Sequence, residues 1–262
     1  MDFLRLTILA SGSAGNCALL ETARQAILVD AGMSGKKIVE CLALTGRKIE
    51  DVSAVLLTHE HSDHITGLPV LANRHKIPIY ANTLTANAVQ PFMPKYKDWR
   101  IFETGAEIDL GDLRVENFPI PHDAYDPVGF VAHAGGFSVG FLTDLGYATR
   151  LVLDRVKGVN ALLLEANYDL NMLRNDTKRP WPTKQRIMAR HGHLSNDAAA
   201  EVAAQVMHDK LENIFLGHKS SDCNTHELAE LAVSAKLKEL GATHVQLQRT
   251  YQNQISVTVE LK

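Results

Sequence analysis

The sequence predicts an α/β (α+β) fold in which two mixed β-sheets pack face to face and helices cover their outer sides. Short apolar runs typical of buried strands recur in both halves of the chain, and several of them end in a single polar residue. Segments with helical spacing of apolar residues lie between these runs. No linker rich in proline, glycine or serine separates the halves, so we expect residues 1–262 to form a single domain.

Each apolar pattern in the first half predicts one strand or one helix. Alternation with period two predicts the first strand, and the continuous apolar run before Asp30 predicts a fully buried one. The strand patterns cover residues 4–9, 17–21, 26–29, 52–58, 77–80 and 113–118, and helical spacing appears at residues 37–44, 65–75 and 84–89.

The second half repeats this alternation of strands and helices. Gly135 and Gly136 stand between two strand patterns, which indicates a tight hairpin turn. Ser195 or Asn196 is well placed to cap the N-terminus of the helix that follows it. Residues 173–193 are polar and irregular, and we expect an exposed loop and a short basic helix there. Strand patterns cover residues 128–132, 137–142, 161–164 and 214–216, and helical patterns cover residues 196–206 and 225–240.

Composition excludes several classes of function. The net charge of −3 excludes a uniformly basic surface, so any nucleic-acid binding has to use a local patch. Three cysteines are too few for a disulfide framework, and no apolar run approaches the ~18 residues of a membrane span. The apolar N-terminal segment is short and alternating, which favours a strand over an export signal. We therefore expect a cytoplasmic protein without membrane contact, and the sequence leaves its oligomeric state open.

The densest group of chemically reactive residues is the hexapeptide His-Glu-His-Ser-Asp-His, which starts at residue 59. It places His59, His61, Asp63 and His64 between a predicted buried strand and a helical pattern. Imidazole nitrogens and a carboxylate held in one strand-to-helix turn are suitable ligands for transition metals. The sequence therefore predicts a metal site that activates water for hydrolysis.

Three more candidate ligands lie where other predicted strands end. They are His122, Asp144 and His218, and each follows an apolar run. A two-metal site needs about eight ligand positions, and strand ends are where loops converge. Five other histidines have no supporting motif, so we predict ordinary surface or core roles for His75, His133, His208, His226 and His244.

The order His-x-His-x-Asp-His, a lone His, an Asp after a hydrophobic strand and a late His resembles the ligand motifs of the metallo-β-lactamase-fold hydrolases. The resemblance implies a four-layer αββα sandwich and two divalent metal ions, zinc or manganese, with iron also compatible. It implies one metal on His59, His61 and His122, another on Asp63, His64 and His218, and Asp144 bridging both. Asp63 is also expected to take part in catalysis. Asp30 would accept hydrogen bonds from ligand histidines.

Two metals favour cleavage of a phosphodiester, and three further features point the same way. Ser11, Ser13 and Asn16 lie in a glycine-containing loop that could cradle a phosphate, although such loops often only turn the chain. Glu165 and His193 resemble a pair of the tRNA 3′-processing nucleases of this fold that is thought to protonate the leaving oxygen; simple helix capping is the alternative for the histidine. The basic segment 173–193 could follow a phosphate backbone through Arg179, Lys184 and Arg186, with Trp181 available for stacking, or could be merely solvated.

Over nearly its full length the chain resembles the YycJ/WalJ group of this superfamily. The resemblance implies a metal-dependent 5′-to-3′ exonuclease acting on double-stranded DNA, and it adds Asn167 and Ser195 to the expected phosphate-binding residues. Lys219, Cys223 and Trp181 depart from the expected pattern and put substrate preference in doubt. The alternatives are a small-molecule phosphodiesterase, a tRNA 3′-processing endoribonuclease, a thioester hydrolase and a non-catalytic scaffold. The resemblance rests on Ser-Gly-Ser-x-Gly-Asn from residue 11, His122-Asp123-Ala124, Thr143-Asp144-Leu145-Gly146, Glu165-Ala166-Asn167 and Gly192-His193-Leu194-Ser195.

Overall fold

Two seven-stranded β-sheets form the centre of the computed structural model, which describes residues 3–262. The strands are β1 (Leu4–Ala10), β2 (Cys17–Glu21), β3 (Ala26–Val29), β4 (Ala54–Leu56), β5 (Ile79–Asn82), β6 (Trp99–Phe102), β7 (Glu107–Asp109), β8 (Arg114–Pro119), β9 (Val128–Ala134), β10 (Phe137–Leu142), β11 (Ala161–Glu165), β12 (Asn213–Gly217), β13 (Gln246–Arg249) and β14 (Thr258–Leu261). The helices are α1 (Gly35–Leu44), α2 (Ser62–Ile65), α3 (Leu68–Asn73), α4 (Thr83–Val89), α5 (Arg150–Val156), α6 (Leu170–Asn175), α7 (Trp181–Ile187), α8 (Asn196–Val206) and α9 (His226–Glu239). Short 3-10 turns lie at Ile49–Asp51 and Gln90–Phe92.

The two sheets have the same plan. The first runs in the order β14-β1-β2-β3-β4-β5-β6, antiparallel up to β3 and parallel from β3 to β6. The second runs in the order β13-β12-β11-β10-β9-β8-β7, parallel from β13 to β10 and antiparallel beyond. In each parallel section neighbouring strands end side by side, because Val29 is paired with Leu56 and Leu164 with Leu216. The loops that follow these strands therefore emerge at one edge of each sheet.

Three apolar layers hold the structure together. The middle layer lies between the sheets and contains Phe130, Phe141 and Phe215, all fully buried. One outer layer packs α1, α3 and α4 on the first sheet, and the other packs α5, α8 and α9 on the second. The predicted four-layer αββα sandwich of two mixed sheets is confirmed. It follows from strands that are apolar on both faces, since each sheet must be covered on both sides.

Several elements differ from the sequence prediction. The helix predicted over residues 65–75 is shorter and is found as α3, while α2 precedes it and shares only Ile65 with the predicted range. The two helices are separated at Gly67, where a β-carbon would crowd the carbonyl oxygen of Met33. The strands β6, β7, β13 and β14 and the helix α5 were not predicted. The exposed and partly buried residues of the edge strand β13 lack the apolar run that marks a central strand. Gly135 and Gly136 have φ of 60° and 86° and join β9 to β10, as the hairpin prediction required.

Candidate metal centre

The candidate site lies at the carboxyl ends of parallel strands from both sheets. Asp30 follows β3, and His59 lies three residues beyond the end of β4. Asp144 follows β10 by two residues, Glu165 is the last residue of β11, and His218 follows β12 directly. Because this edge of each sheet opens onto the same space, side chains distant in sequence meet there.

All seven predicted metal ligands come together in this space. One group contains His59, His61 and His122, and a second contains Asp63, His64 and His218; the ligand atoms of each group lie within 4.8 Å of one another. Asp144 lies between the groups: its Oδ1 is 3.3 Å from Nε2 of His218 and 3.8 Å from Nε2 of His122, and its Oδ2 is 3.2 Å from Nε2 of His64.

Unsatisfied polar atoms show that this donor set fits cations. Nε2 of His59 and Oδ2 of Asp144 are buried without a hydrogen bond of acceptable geometry to any residue in the described part of the chain. Nδ1 of His61 lies only 3.2 Å from Nε2 of His122, so two ring nitrogens face each other. Buried polar atoms almost always have a partner, and facing lone pairs need a proton or a cation between them.

A hydrogen-bonded chain behind the cluster orients two of its histidines. Nδ1 of His64 donates to Oδ2 of Asp30 at 2.7 Å, and the Thr58 amide donates to Oδ1 of the same carboxylate at 2.9 Å. The Thr58 hydroxyl lies 2.9 Å from Nδ1 of His59 and 2.9 Å from Oδ2 of Asp30. Engaging Nδ1 leaves Nε2 of each ring for the cluster. The role expected of Asp30 matches this geometry, whereas Thr58 was not predicted; its place at the end of the apolar run before His59 was the available signal.

The backbone turns sharply at three of these positions. Asp30, Asp144 and His218 have φ of 60°, 59° and 49°, in the left-handed region. Aspartate and histidine tolerate this region better than most side chains do. The left-handed residue ends the strand direction abruptly and brings the side chain into the cluster, which the sequence pattern alone did not reveal.

Burial and neighbouring charges set the protonation of the cluster. Burial lowers the pKa of His59 and His122, which favours neutral rings. Burial opposes ionisation of Asp144, but His218 and His64 outweigh it and hold its pKa well below the ordinary value. Burial likewise opposes the charged form of His64, yet Asp30 and Asp144 raise its pKa. A metal ion bound at the second group would therefore displace protons, as expected where imidazoles are ligands.

Glu165 and His193 form a pair beside the cluster. Oε1 of Glu165 accepts hydrogen bonds of 2.8 Å from Nδ1 of both His193 and His218. Its Oε2 accepts the backbone amides of Leu145 and Leu194 at 3.0 and 3.1 Å, and the side chain is fully buried. Burial disfavours a charged His193, but Glu165 outweighs it and raises the pKa of His193. Helix capping is wrong for His193, since Ser195 caps α8.

An open cavity of about 220 Å³ gives access to these groups. His193 stands on one wall with Nδ1 held by Glu165, so Nε2 is the ring nitrogen available to a ligand. Ser13 and Arg186 line the rim. Its wall also includes His61, Asp63, His122, Asp144 and His218.

Three of the predicted phosphate-binding residues instead stabilise the protein around the ligands. The Ser11 hydroxyl accepts the amide of His218 at 2.7 Å, and the Asn16 side chain bonds Gly12 and lies 3.3 Å from Oδ2 of Asp63. Asn167 donates to the carbonyl of His218 at 2.7 Å. All three side chains are buried and engaged in these contacts, and phosphate binding by them stays a prediction.

Two further residues predicted to bind phosphate, Ser195 and Lys184, also have partners within the protein. The Ser195 hydroxyl accepts the amide of Ala198 as the N-cap of α8. Lys184 is buried, and its ammonium donates to the carbonyls of Arg174 and Asp176. The Ser195 hydroxyl keeps its own hydrogen for a further partner, whereas two of the three N–H groups of Lys184 are used inside the protein.

Arg179 and Arg186 remain near the cavity but are in ion pairs. Arg179 contacts the carboxylates of Asp176 and Asp222, each at 2.9 Å. Arg186 pairs with Asp123 and is largely exposed. The acids that neutralise this segment include two distant in sequence, which is why the segment looked more basic than it is. Its structure is two short helices, α6 and α7, with an exposed Trp181 at the start of α7.

Comparison with known proteins identifies the family. Residues 25–214 match the sequence model of the beta-lactamase superfamily domain. The chain belongs to this superfamily. It is 40% identical over 240 residues to exodeoxyribonuclease YycJ of Bacillus anthracis, covering 91% of this chain and 90% of that protein. It is also 40% identical over 239 residues to exodeoxyribonuclease WalJ of Streptococcus pneumoniae, covering 90% and 88%. The chain therefore belongs to the YycJ/WalJ group.

Solved structures of lower identity show the same fold. The metallo-β-lactamase fold protein YhfI from Bacillus subtilis superimposes with a TM-score of 0.73 at 17% identity, covering 100% of both chains. Human tRNase Z, short form, gives 0.62 at 18% identity, covering 83% of this chain and 93% of that one. Within this family the chain is a metal-dependent hydrolase, and its histidine and aspartate clusters are suited to divalent ions. No helix among residues 3–262 is long and apolar enough to cross a membrane.

Proposed function

We propose that the chain is a two-metal phosphodiesterase that degrades double-stranded DNA from its 5′ end. The observation that carries the proposal is the placing of His193, held by Glu165, in the same cavity as the seven candidate ligands. A phosphodiester leaves an alkoxide that needs a proton, and this pair is built to deliver one. The two 40% identical relatives named exodeoxyribonuclease support DNA as the polymer.

The ligand groups indicate how two ions would be held. One ion would be bound by the group of His59, His61 and His122. The other ion would be bound by the group of Asp63, His64 and His218, with Asp144 between the two groups. Divalent ions bound there would lower the pKa of water and neutralise charge on the phosphate oxygens. Zinc, manganese and iron are all compatible with imidazole and carboxylate donors.

The residues of the chain handle the protons. His193 would donate from Nε2 to the leaving oxygen, while Glu165 fixes the proton on Nδ1 and favours the charged ring. Asp63 is partly exposed in the cavity and would accept a proton from the attacking water. The depth of the ligand cluster in a cavity of about 220 Å³ favours attack at a strand end over attack within a closed duplex. Three free cysteines support a reducing, cytoplasmic location. We also propose that the chain is one catalytic domain.

The experiment uses a 5′-phosphorylated duplex labelled at its 3′ end, with manganese or zinc added to protein of measured metal content. We expect mononucleotides to be released from the 5′ end and the labelled strand to shorten from that side. A duplex with both ends closed by hairpin loops is the control and should resist cleavage. Metal-loaded protein that leaves the open duplex intact would refute the proposal, and shortening from the 3′ end would refute its polarity.

A small-molecule phosphodiesterase is the second candidate, and the ion pairs of the basic segment favour it. Arg179 and Arg186 are paired with carboxylates and Lys184 is internal, so the charge available to a long polymer is smaller than the sequence indicates. This candidate predicts turnover of cyclic nucleotides with no gain in kcat/KM as oligonucleotides lengthen. A kcat/KM that rises with DNA length would exclude it.

A further inference from the structure

A second cavity of about 410 Å³ meets the catalytic one at Ser13, whose side chain lines both. Its volume falls within the roughly 300–1,000 Å³ typical of ligand pockets. Gln252 stiffens the shared wall, because its side chain accepts the amide of Ala14 and donates to the carbonyl of Gly15, both at 2.9 Å. The cavity also contains Lys219, Ser221, His226 and Tyr251.

Lys219 has no direct ion-pair partner in this second cavity. Among residues 3–262 its ammonium has no carboxylate within 4 Å, and its one hydrogen bond is a 3.3 Å contact to the carbonyl of Ser220. Arg179 and Arg186, by contrast, are paired with acids. Glu227 is near enough to act electrostatically on Lys219, but its carboxylate contacts Arg249 at 3.2 Å. A half-buried ammonium with no acid in direct contact attracts an anion such as a phosphate.

Two aromatic rings stand beside this cation. The rings of His226 and Tyr251 pack at 4.9 Å between centroids with an interplanar angle of 60°. The Tyr251 carbonyl accepts the amide of Ser11 at 2.9 Å, which fixes the tyrosine to the loop between the two cavities. An aromatic surface next to a cation matches the two parts of a nucleotide, a flat base and a phosphate.

We propose that this cavity binds a second nucleotide of the substrate strand, with its phosphate on Lys219 and its base against Tyr251. Lys219 directly follows the candidate ligand His218, so one strand passing Ser13 can reach both places. The inference rests on the proposed function and deepens it: it names the residues that would distinguish a polymer from a single nucleotide ester. It also gives a binding role to His226, for which the sequence predicted only an ordinary surface or core role.

The test compares kcat and KM on two substrates, thymidine 5′-(p-nitrophenyl phosphate) and a DNA oligonucleotide. For Tyr251→Ala we expect KM for the oligonucleotide to rise by about 5- to 160-fold, the range of one lost base stack, with a clearly smaller change for the single-nucleotide ester. For Lys219→Ala we expect the salt dependence of log(kcat/KM) on the oligonucleotide to lose about one unit of slope. Lys219→Arg should keep most of the salt slope of the unmodified protein, and Tyr251→Phe should keep most of its KM for the oligonucleotide.

The matched control is Lys157→Ala, which removes an exposed lysine at the C-cap of α5. Thermal unfolding of each variant separates misfolding from lost binding. Equal defects on both substrates, or an unchanged salt slope for Lys219→Ala, would overturn the inference. Failure of the proposed function looks different: the unmodified protein would hydrolyse the nitrophenyl ester and leave every oligonucleotide intact.

Discussion

Replacing His193 by alanine should slow the cleavage of DNA far more than the cleavage of an activated ester. The ring is held by a 2.8 Å hydrogen bond from Nδ1 to Glu165 and presents its other nitrogen to the cavity. The nucleoside alkoxide released from DNA is a strong base and needs a proton as the bond breaks. The p-nitrophenolate ion is stable as it leaves and needs none.

The magnitude follows from the chemistry that the ring supplies. A positioned general acid contributes about 10²- to 10⁴-fold, so kcat on DNA should fall by that factor. The side chain of His193 is 22% exposed and is not one of the seven candidate ligands, so its removal should leave the fold and the metal content intact. On bis-p-nitrophenyl phosphate we therefore expect a loss below about tenfold, because metal activation of water remains.

The assay measures kcat on both substrates at matched metal content. His191→Ala is the control, since it removes an exposed histidine two residues away. The reasoning fails if His193→Ala loses the same factor on both substrates while metal content is unchanged. Such a result would mean that His193 acts on the attacking side of the reaction or on the geometry of the metal centre.

Four further outcomes follow from the structure. The Glu165 carboxylate raises the pKa of His193, so Glu165→Gln should lower that pKa. The ring then loses its proton at a lower pH, and the alkaline limb of the pH–rate profile should move to lower pH. Asp30→Asn keeps a residue that tolerates a positive φ but weakens the acceptor behind one histidine ligand, and chelator competition should show metal affinity reduced by about 10–100-fold. Saturating metal at about 100 times its Kd should add about 2.7 kcal/mol to the unfolding free energy, and the melting temperature of the metal-free protein should rise accordingly. A β-carbon on Gly32 would overlap a backbone carbonyl of the ligand loop, so Gly32→Ala should lower the free energy of unfolding by about 1–3 kcal/mol or more and weaken metal binding. Gly46→Ala is the control: it has open space around it and should leave metal binding unchanged.

The parts of the site that could be predicted from the sequence share one property. His59 to His64 are contiguous and follow an apolar run, and Asp144 and His218 end runs of their own, so pattern and position alone bring them to one sheet edge. The pairing of the two sheets was also predictable, because the strands are apolar on both faces. Edge strands such as β13 were missed since one side of them contacts solvent and their composition is close to that of loops.

The residues predicted to bind phosphate show what a sequence pattern cannot contain. Lys184 cannot be told from an exposed lysine in the sequence, yet its ammonium donates hydrogen bonds to two backbone carbonyls. Ser11 lies in a loop that resembles an anion cradle, but its hydroxyl is used by the amide of His218, more than two hundred residues later in the chain. Whether a polar group is free depends on such distant partners. Lys219, without a paired acid, is the opposite case.

The left-handed backbone at Asp30, Asp144 and His218 limits how this metal centre can change. Asparagine, aspartate, histidine and glycine are the residue types that accept such a conformation at low cost. Exchanging Asp144 or His218 for cysteine or glutamate would alter the donor and add strain of about 1–3 kcal/mol in the same step. A change toward a softer, sulfur-bound metal therefore costs more stability at these two candidate ligands. The same change adds no left-handed backbone strain at His59, His61, Asp63, His64 and His122, whose φ lies outside the left-handed region.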